Sequence, residues 1–380
     1  MTTMTGTRTF SPIGEVFAFF LRLGLTAFGG PAAHIALMER DAVARRWLSR
    51  DEFLDLVGAC NLLPGPSSTQ VAMALGYRRA KVTGLVVAGV CFILPASVAT
   101  LALAWAYVHY GSLPQATGLL FGAKPVMVAI VLQAVWSLGK SAVRGWGPAL
   151  LGLVCLAAAL SGVYPIVVLL AAGGISMIPS LTKDNRRAVL SAPFPGGVAG
   201  AAVGGAPGLA TIALVFLKLG VVVFGSGYIL LAFLKADLVD RLHWITVRQL
   251  LDAVTAGQLT PGPVFATSTF IGYLVRGWAG AAVATLAVFL PSFFMVAAVG
   301  ALAGQIRKSK LAAAFLDGVN VAAVALMAEI AIVLGRATLV DAPTWGISLL
   351  SAVFLIRFRA NATWLIAAGA AIGILLRGLR

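Results

Sequence analysis

Charge is what this chain has least of. Of its 380 residues, 11% are Asp, Glu, Lys or Arg, whereas 60% are hydrophobic. Soluble domains carry about 25% charged residues, so a soluble fold could not cover this much apolar surface. Period-two alternation is missing too, which excludes the strands of a membrane barrel. Cysteine is scarce: Cys60, Cys91 and Cys155 lie in apolar segments without metal-ligand spacing and read as small buried hydrophobes. The three histidines are scattered. H-E-x-x-H, G-x-S-x-G, Walker A and paired acidic motifs are absent, so neither an enzyme nor a cofactor is expected.

What the chain has is long uncharged runs, such as 82–108 and 277–306. Each exceeds the roughly 20 residues that cross a bilayer as a helix. The expected class is therefore an all-α polytopic membrane protein. The net charge of +15 would suggest nucleic acid for a soluble chain. Here it fits basic cytoplasmic loops, and no nucleic-acid partner is expected. No small-residue cleavage site follows the first apolar run, 13–28, so that run is expected to be retained.

Helices are interrupted at matched places. Gly29-Gly30-Pro31 ends the first run, and Pro64-Gly65-Pro66 breaks a later one. Ser49-x-x-Glu52 between them is a capping box. The same pattern returns 196 or 197 residues on. Arg22 matches Lys218, Gly29-Gly30-Pro31 matches Gly225-Ser226-Gly227, and Ser49 with Glu52 matches Thr246 with Gln249. Asn61 matches Gln258, and Leu63-Pro64-Gly65-Pro66 matches Thr260-Pro261-Gly262-Pro263. Gly76, Gly84 and Pro95 match Gly272, Gly280 and Pro291. Such an offset over glycine, proline and tryptophan positions marks a duplication. The expected division is a first repeat over 1–187, a Gly/Pro/Ala-rich linker or extra span over 188–207, and a second repeat over 208–380.

Loop charges bear on topology. Loops 78–81, 140–144 and 183–187 are basic in the first half; 307–310 and 357–359 are basic in the second and correspond to uncharged loops of the first. This favours inverted repeats with broken or re-entrant helices. Lys235, Arg241, Arg248, Arg276, Arg377 and Arg380 run against it.

A helix that restarts inside a bilayer points free N–H groups and the positive end of its dipole into a cavity. Ser67, Ser68, Thr69 and Gln70 follow one break, and Thr267 follows another. These groups either donate to an oxyanion or satisfy freed backbone. Arg22 and Lys218 lie about two turns before the glycine breaks, either as matched positive points or snorkelling to an interface. Lys124 lies eight residues into 116–139. Glu329, deep in 311–336, is the candidate for proton coupling, with a buried ion pair as the other reading.

Phe28-Gly29-Gly30-Pro31-Ala32-Ala33-His34, Leu63-Pro64-Gly65-Pro66, Gly76-Tyr77-Arg78-Arg79-Ala80 and Leu94-Pro95 together resemble the chromate transporter family, as do Thr260-Pro261-Gly262-Pro263 and Phe289-Leu290-Pro291-Ser292. Asn61 and Lys81 depart from its pattern, which has Gln and Gly there. The resemblance implies a multi-pass protein of the bacterial inner membrane that exports chromate, driven by the proton motive force, with sulfate as a competing mimic. A transporter of another oxyanion and a passive anion channel are the alternatives. The expected partners are the bilayer, chromate and a second copy in a homodimer.

Overall fold

Two capping boxes fix where the interrupted helices begin. The Ser49 hydroxyl accepts from the Glu52 amide and Glu52 accepts from the Ser49 amide; Thr246 and Gln249 do the same one repeat later. The structure, a computed structural model, describes residues 11–61, 63–111, 113–178, 207–223, 227, 229–299, 310–358 and 360–378. The expected linker over 188–207 lies, apart from Pro207, outside them, as do Gly225 and Ser226.

The first repeat contains α1 (Pro12–Thr26), α2 (Gly30–Ala44), α3 (Arg50–Cys60), α4 (Ser67–Tyr110), α5 (Pro114–Ala142), α6 (Trp146–Leu160) and α7 (Pro165–Met177). The second contains α8 (Leu209–Val222), α9 (Ile229–Leu234, continued by a π turn over Lys235–Arg241), α10 (Val247–Leu259), α11 (Thr267–Val299), α12 (Lys310–Thr338), α13 (Ala342–Arg357) and α14 (Ala362–Gly378). The two sets correspond one to one, and no strand occurs among the described residues. Four stretches, Ser67–Tyr110, Ala116–Ala142, Val264–Ala298 and Ala313–Thr338, are long and apolar enough to cross a membrane. Leu150, Leu214, Phe294 and Leu350 face outward, as lipid contact requires.

The helices that flank the first repeat's breaks are short and pair as hairpins. α1 and α2 have 15 residues each and α3 has 11. At 1.5 Å per residue they run about 16–23 Å, short of the roughly 30 Å hydrocarbon core. Their outer ends meet at one face: Glu15 pairs with Arg79 at 2.7 Å, and Arg78 pairs with Glu52 at 2.8 Å. Their inner ends are the glycine and proline breaks.

α4 reverses direction within what its hydrogen bonding makes one helix. Ala80 and Lys81 leave helical geometry, and Arg276 and Gly277 do so in α11 with nearly the same angles. Lys81 sits at φ 53°, a region that favours glycine, which is the residue at its counterpart. The two arms touch at glycines: a Cβ on Gly84 would lie 2.1 Å from the Gly76 carbonyl oxygen, and one on Gly280 would lie 2.2 Å from that of Gly272.

The repeats interlock. α4 packs on α11, α5 packs on α13 and α14, and α12 packs on α6 and α7. Each repeat therefore completes the other's core. Overpacking a tight contact costs about 1–3 kcal/mol, so Gly84→Ala and Gly280→Ala should each lower the melting temperature in detergent. Gly174→Ala, whose Cβ meets nothing within 4 Å, should leave it unchanged.

Candidate functional site

The four breaks meet where the repeats cross. The Gly65 amide donates to the Val223 carbonyl at the end of α8 (2.5 Å), and the Gly262 amide donates to the Ala27 carbonyl at the end of α1 (2.8 Å). Ala27 and Val223 are counterparts, as are Gly65 and Gly262, so the two bonds are a reciprocal pair. Gly65 has φ 121° and Gly262 has φ 96°. A Cβ on Gly65 would lie 2.7 Å from the Ser292 hydroxyl, and one on Gly262 would lie 2.7 Å from the Ala96 methyl. Each tip thus needs glycine for its backbone and for its fit against the other repeat. The glycine breaks join them: a Cβ on Gly227 would lie 3.7 Å from the Pro31 ring.

The inner helix starts are left open. α3 and α10 are capped by side chains at their outer ends, but α2, behind Gly29, and α4, behind Pro66, have no side-chain cap. First-turn amides have no carbonyl within their own helix to reach, and each helix start carries about half a positive charge. The carbonyl ends of α1 and α8 are covered by the partner tip. The donors of α2 and α4 are therefore the exposed polarity of the crossing.

Side chains add to them. The hydroxyls of Thr69, Thr267, Ser268 and Ser292 and the Gln258 amide nitrogen are donors buried without a hydrogen-bond partner, whereas the unpartnered atom of Gln70 is its carbonyl oxygen, an acceptor. Gln70 donates to the Pro64 carbonyl at 2.6 Å, which stiffens its tip. Thr260 donates to the Gly257 carbonyl (3.0 Å) and meets Thr100 of the first repeat at 3.1 Å. His34, in the first turn of α2, holds the same Ala27 carbonyl at 3.1 Å. Ser67, Ser68, Pro66, Gly30 and Pro263 are buried around the same crossing, with Pro31, Pro64 and Pro261 partly covered and Gly29 exposed. Asn61 is exposed at the end of α3, unlike its counterpart Gln258.

The cations singled out by the sequence are paired, away from the tips. Arg22 pairs with Asp41 of α2, which Arg40 also contacts. Lys218 pairs with the counterpart residue, Asp237, at 2.5 Å. Tyr164 donates to Asp237 at 2.9 Å and accepts from Lys218 at 2.7 Å. Lys124 of α5 pairs with Asp252 of α10 at 2.8 Å, and Tyr107 donates to the same carboxylate at 3.0 Å. Glu329 lies 3.2 Å from Lys235, which also holds Asp240 at 2.8 Å. Asp41 and Asp237 went unremarked in the sequence, although they share the 196-residue offset of Arg22 and Lys218. Tyr107 and Tyr164 carry no sequence signal, because neither has a tyrosine counterpart in the second repeat.

The family model described as "Chromate transporter" matches residues 14–177 and again 210–374. The chain belongs to the chromate transporter family. It is 33% identical over 369 residues to the chromate transport protein of Cupriavidus metallidurans, covering 94% of this chain and 91% of that one. It is 32% identical to the chromate transport protein of Pseudomonas aeruginosa, covering 89% and 85%. A probable chromate transport protein of Synechococcus elongatus is also 32% identical, covering 89% and 88%. No solved structure matches the chain. The two family matches fall on the two sets of seven helices among the described residues, and the chain is a membrane transporter and not an enzyme.

Removing one member of a buried ion pair costs about 3 kcal/mol, whereas replacing both by apolar residues is often neutral. Asp237→Ala should therefore destabilise strongly, and Lys218→Met with Asp237→Leu should recover most of the loss. Thermal unfolding of the two single variants and the double variant in detergent checks this.

Proposed function

We propose that the protein is a secondary active transporter that exports chromate across the bacterial inner membrane, driven by the proton motive force, and so confers chromate resistance. The observation that carries this reading is the crossing of the four breaks, with uncapped helix starts and buried unpartnered hydroxyl and amide groups around it. Chromate is a tetrahedral dianion, and taking it out of water requires several donors at once. The proposed contacts are Ser67, Ser68, Thr69 and Gln70 on one tip, and Gln258, Thr260 and Thr267 on the other. Backbone at Gly29-Gly30-Pro31, Gly227 and the two Pro-Gly-Pro turns shapes the cavity, and Gly225 and Ser226, outside the described residues, are proposed with them by their match to Gly29 and Gly30. Arg22, Lys218 and Lys124 compensate charge from the flanks by loosening from Asp41, Asp237 and Asp252. Proton uptake by Glu329 releases its hold on Lys235, which stays with Asp240.

The same reading takes the repeats, 1–187 and 208–380 with 188–207 joining them, as inverted. Support comes from the contacts of α4. At 1.5 Å per residue its second arm, 82–110, runs about 43 Å from the face where the first repeat's hairpins start. Gly262, at the second repeat's tip, lies against Phe92 and Ala96 partway along that arm. Asp252, near the outer end of that hairpin, meets Tyr107 at the arm's far end. Both contacts support a second hairpin that descends from the opposite side. Two of the cations that ran against inversion, Lys235 and Arg241, contact Glu329 and Asp237 (3.2 and 3.5 Å), which lowers the charge they bring to that side. Alternating access then moves one repeat against the other about the fixed crossing.

Chromate uptake by inverted membrane vesicles tests the proposal. Uptake should need a pH gradient and be reduced, not abolished, by excess sulfate. Preference for sulfate makes this a transporter of another oxyanion. Conductance without a gradient, unaffected by Glu329→Gln, makes it a channel. Two hydrogen bonds to a charged ligand contribute about 1.5 kcal/mol each, so Thr69→Val with Thr267→Val, which removes two unpartnered hydroxyls, should lower kcat/KM about a hundredfold.

A further inference from the structure

One cavity lies outside the crossing, at the outer ends of the first repeat's hairpins. It holds about 530 Å³ and is lined by Arg45, Arg46, Arg78, Arg79, Glu15 and Trp47, among others. Arg79 is matched by Glu15, and Arg78 by Glu52, which stands outside the lining. Arg45 and Arg46 are in no ion pair among the described residues. Arg45 is nevertheless seated, with its guanidinium 5.2 Å from the Phe19 ring centroid and 6.0 Å from that of Trp47. Arg46 is exposed just beyond α2, at φ 56°.

The charges that line the cavity belong to one repeat. His243 shares the left-handed backbone of Arg46, at φ 52°, and marks the matching position. By that correspondence Arg45 becomes Leu242, Arg78 becomes Leu274, Arg79 becomes Val275 and Glu15 becomes Thr211. Basic loops that merely set topology need neither a cavity nor an aromatic seat. A planar guanidinium held on rings, beside a second unpaired one, suits capture of a tetrahedral oxyanion.

We propose that this cavity is a one-sided vestibule that captures a hydrated divalent oxyanion and loads it towards the crossing. This rests on the transport reading above. The same chemistry could come from the phosphate of a lipid headgroup, and the test separates the two.

Sulfate is titrated calorimetrically into the purified protein in uncharged detergent. Two sites are expected in the wild type and one in R45Q/R46Q. The transport arm measures chromate uptake in phosphatidylcholine vesicles. There R45Q/R46Q should raise KM about tenfold, the low end of what steering by a charged cleft supplies, with kcat held. The increase should shrink at high salt. Arg144 is exposed in the loop between α5 and α6, outside the cavity lining, so R144Q should change neither measurement. Unchanged sulfate binding in R45Q/R46Q overturns the vestibule. So does loss of the second site in the wild type when phosphatidylglycerol is added, because the occupant is then a lipid headgroup. A wild type that transports no chromate but loses one sulfate site in R45Q/R46Q defeats the transport reading and leaves the vestibule standing.

Discussion

Two amide-to-carbonyl bonds hold the centre of this protein together. Gly65 bonds Val223 and Gly262 bonds Ala27, so each repeat's proline-flanked tip closes the carbonyl end of the other repeat's first helix. A helix that stops inside a bilayer leaves carbonyls that lipid cannot satisfy. Here the partner repeat satisfies them, so neither half can be complete alone. The interlocking of α5 with α13 and α14, and of α12 with α6 and α7, follows the same logic on a larger scale. Because the carbonyl ends are covered and the amide ends of α2 and α4 are not, the crossing is biased towards donors without a formal charge at its centre.

Charge lies on the flanks, in compensated form. Arg22 with Asp41 and Lys218 with Asp237 brace α1 against α2 and α8 against α9. Lys124 with Asp252 ties the first repeat to the second repeat's hairpin. The pairs on Asp237 and Asp252 are buried at the carboxylate and fix geometry, because either partner alone is heavily penalised, whereas the exposed Arg22 makes a surface pair of smaller effect. These pairs hold the hairpins at a set angle to the tips while leaving the tips neutral.

Much of this was legible in the sequence, for a physical reason. Helix breakers and capping boxes act locally, so Gly29-Gly30-Pro31, Pro64-Gly65-Pro66, Ser49 with Glu52 and Thr246 with Gln249 announce the helix ends directly. Duplication made each of them visible twice. What was not legible depends on contacts between distant segments. The reversal at Ala80 and Lys81 reads as an ordinary basic loop, and only the approach of Gly76 to Gly84 shows that the chain folds back. The depth and pairing of Arg22 and Lys218 needed Asp41 and Asp237 to be found on a neighbouring helix. Tyr107 and Tyr164 act across elements, where no local pattern points to them.

The π turn at the end of α9 records the history of the molecule. In the first repeat the Arg45 amide bonds Asp41, four residues back; in the second the Leu242 amide bonds Asp237, five residues back. That is where the offset between the copies changes from 196 to 197. One residue entered the younger or the older copy after they parted, and the helix absorbed it as a single wide turn. Taken up as ordinary helix, it would have swung everything beyond it by about 100° and lifted the next cap off its seat. The wide turn instead confined the disturbance to seven residues, Lys235–Arg241. Asp237 stayed on Lys218 on one side and Thr246 kept its cap on the other. The offset is back at 196 by Gly76 and Gly272, so the copies are out of step only between the π turn and the proline break, and the common frame is kept on both sides.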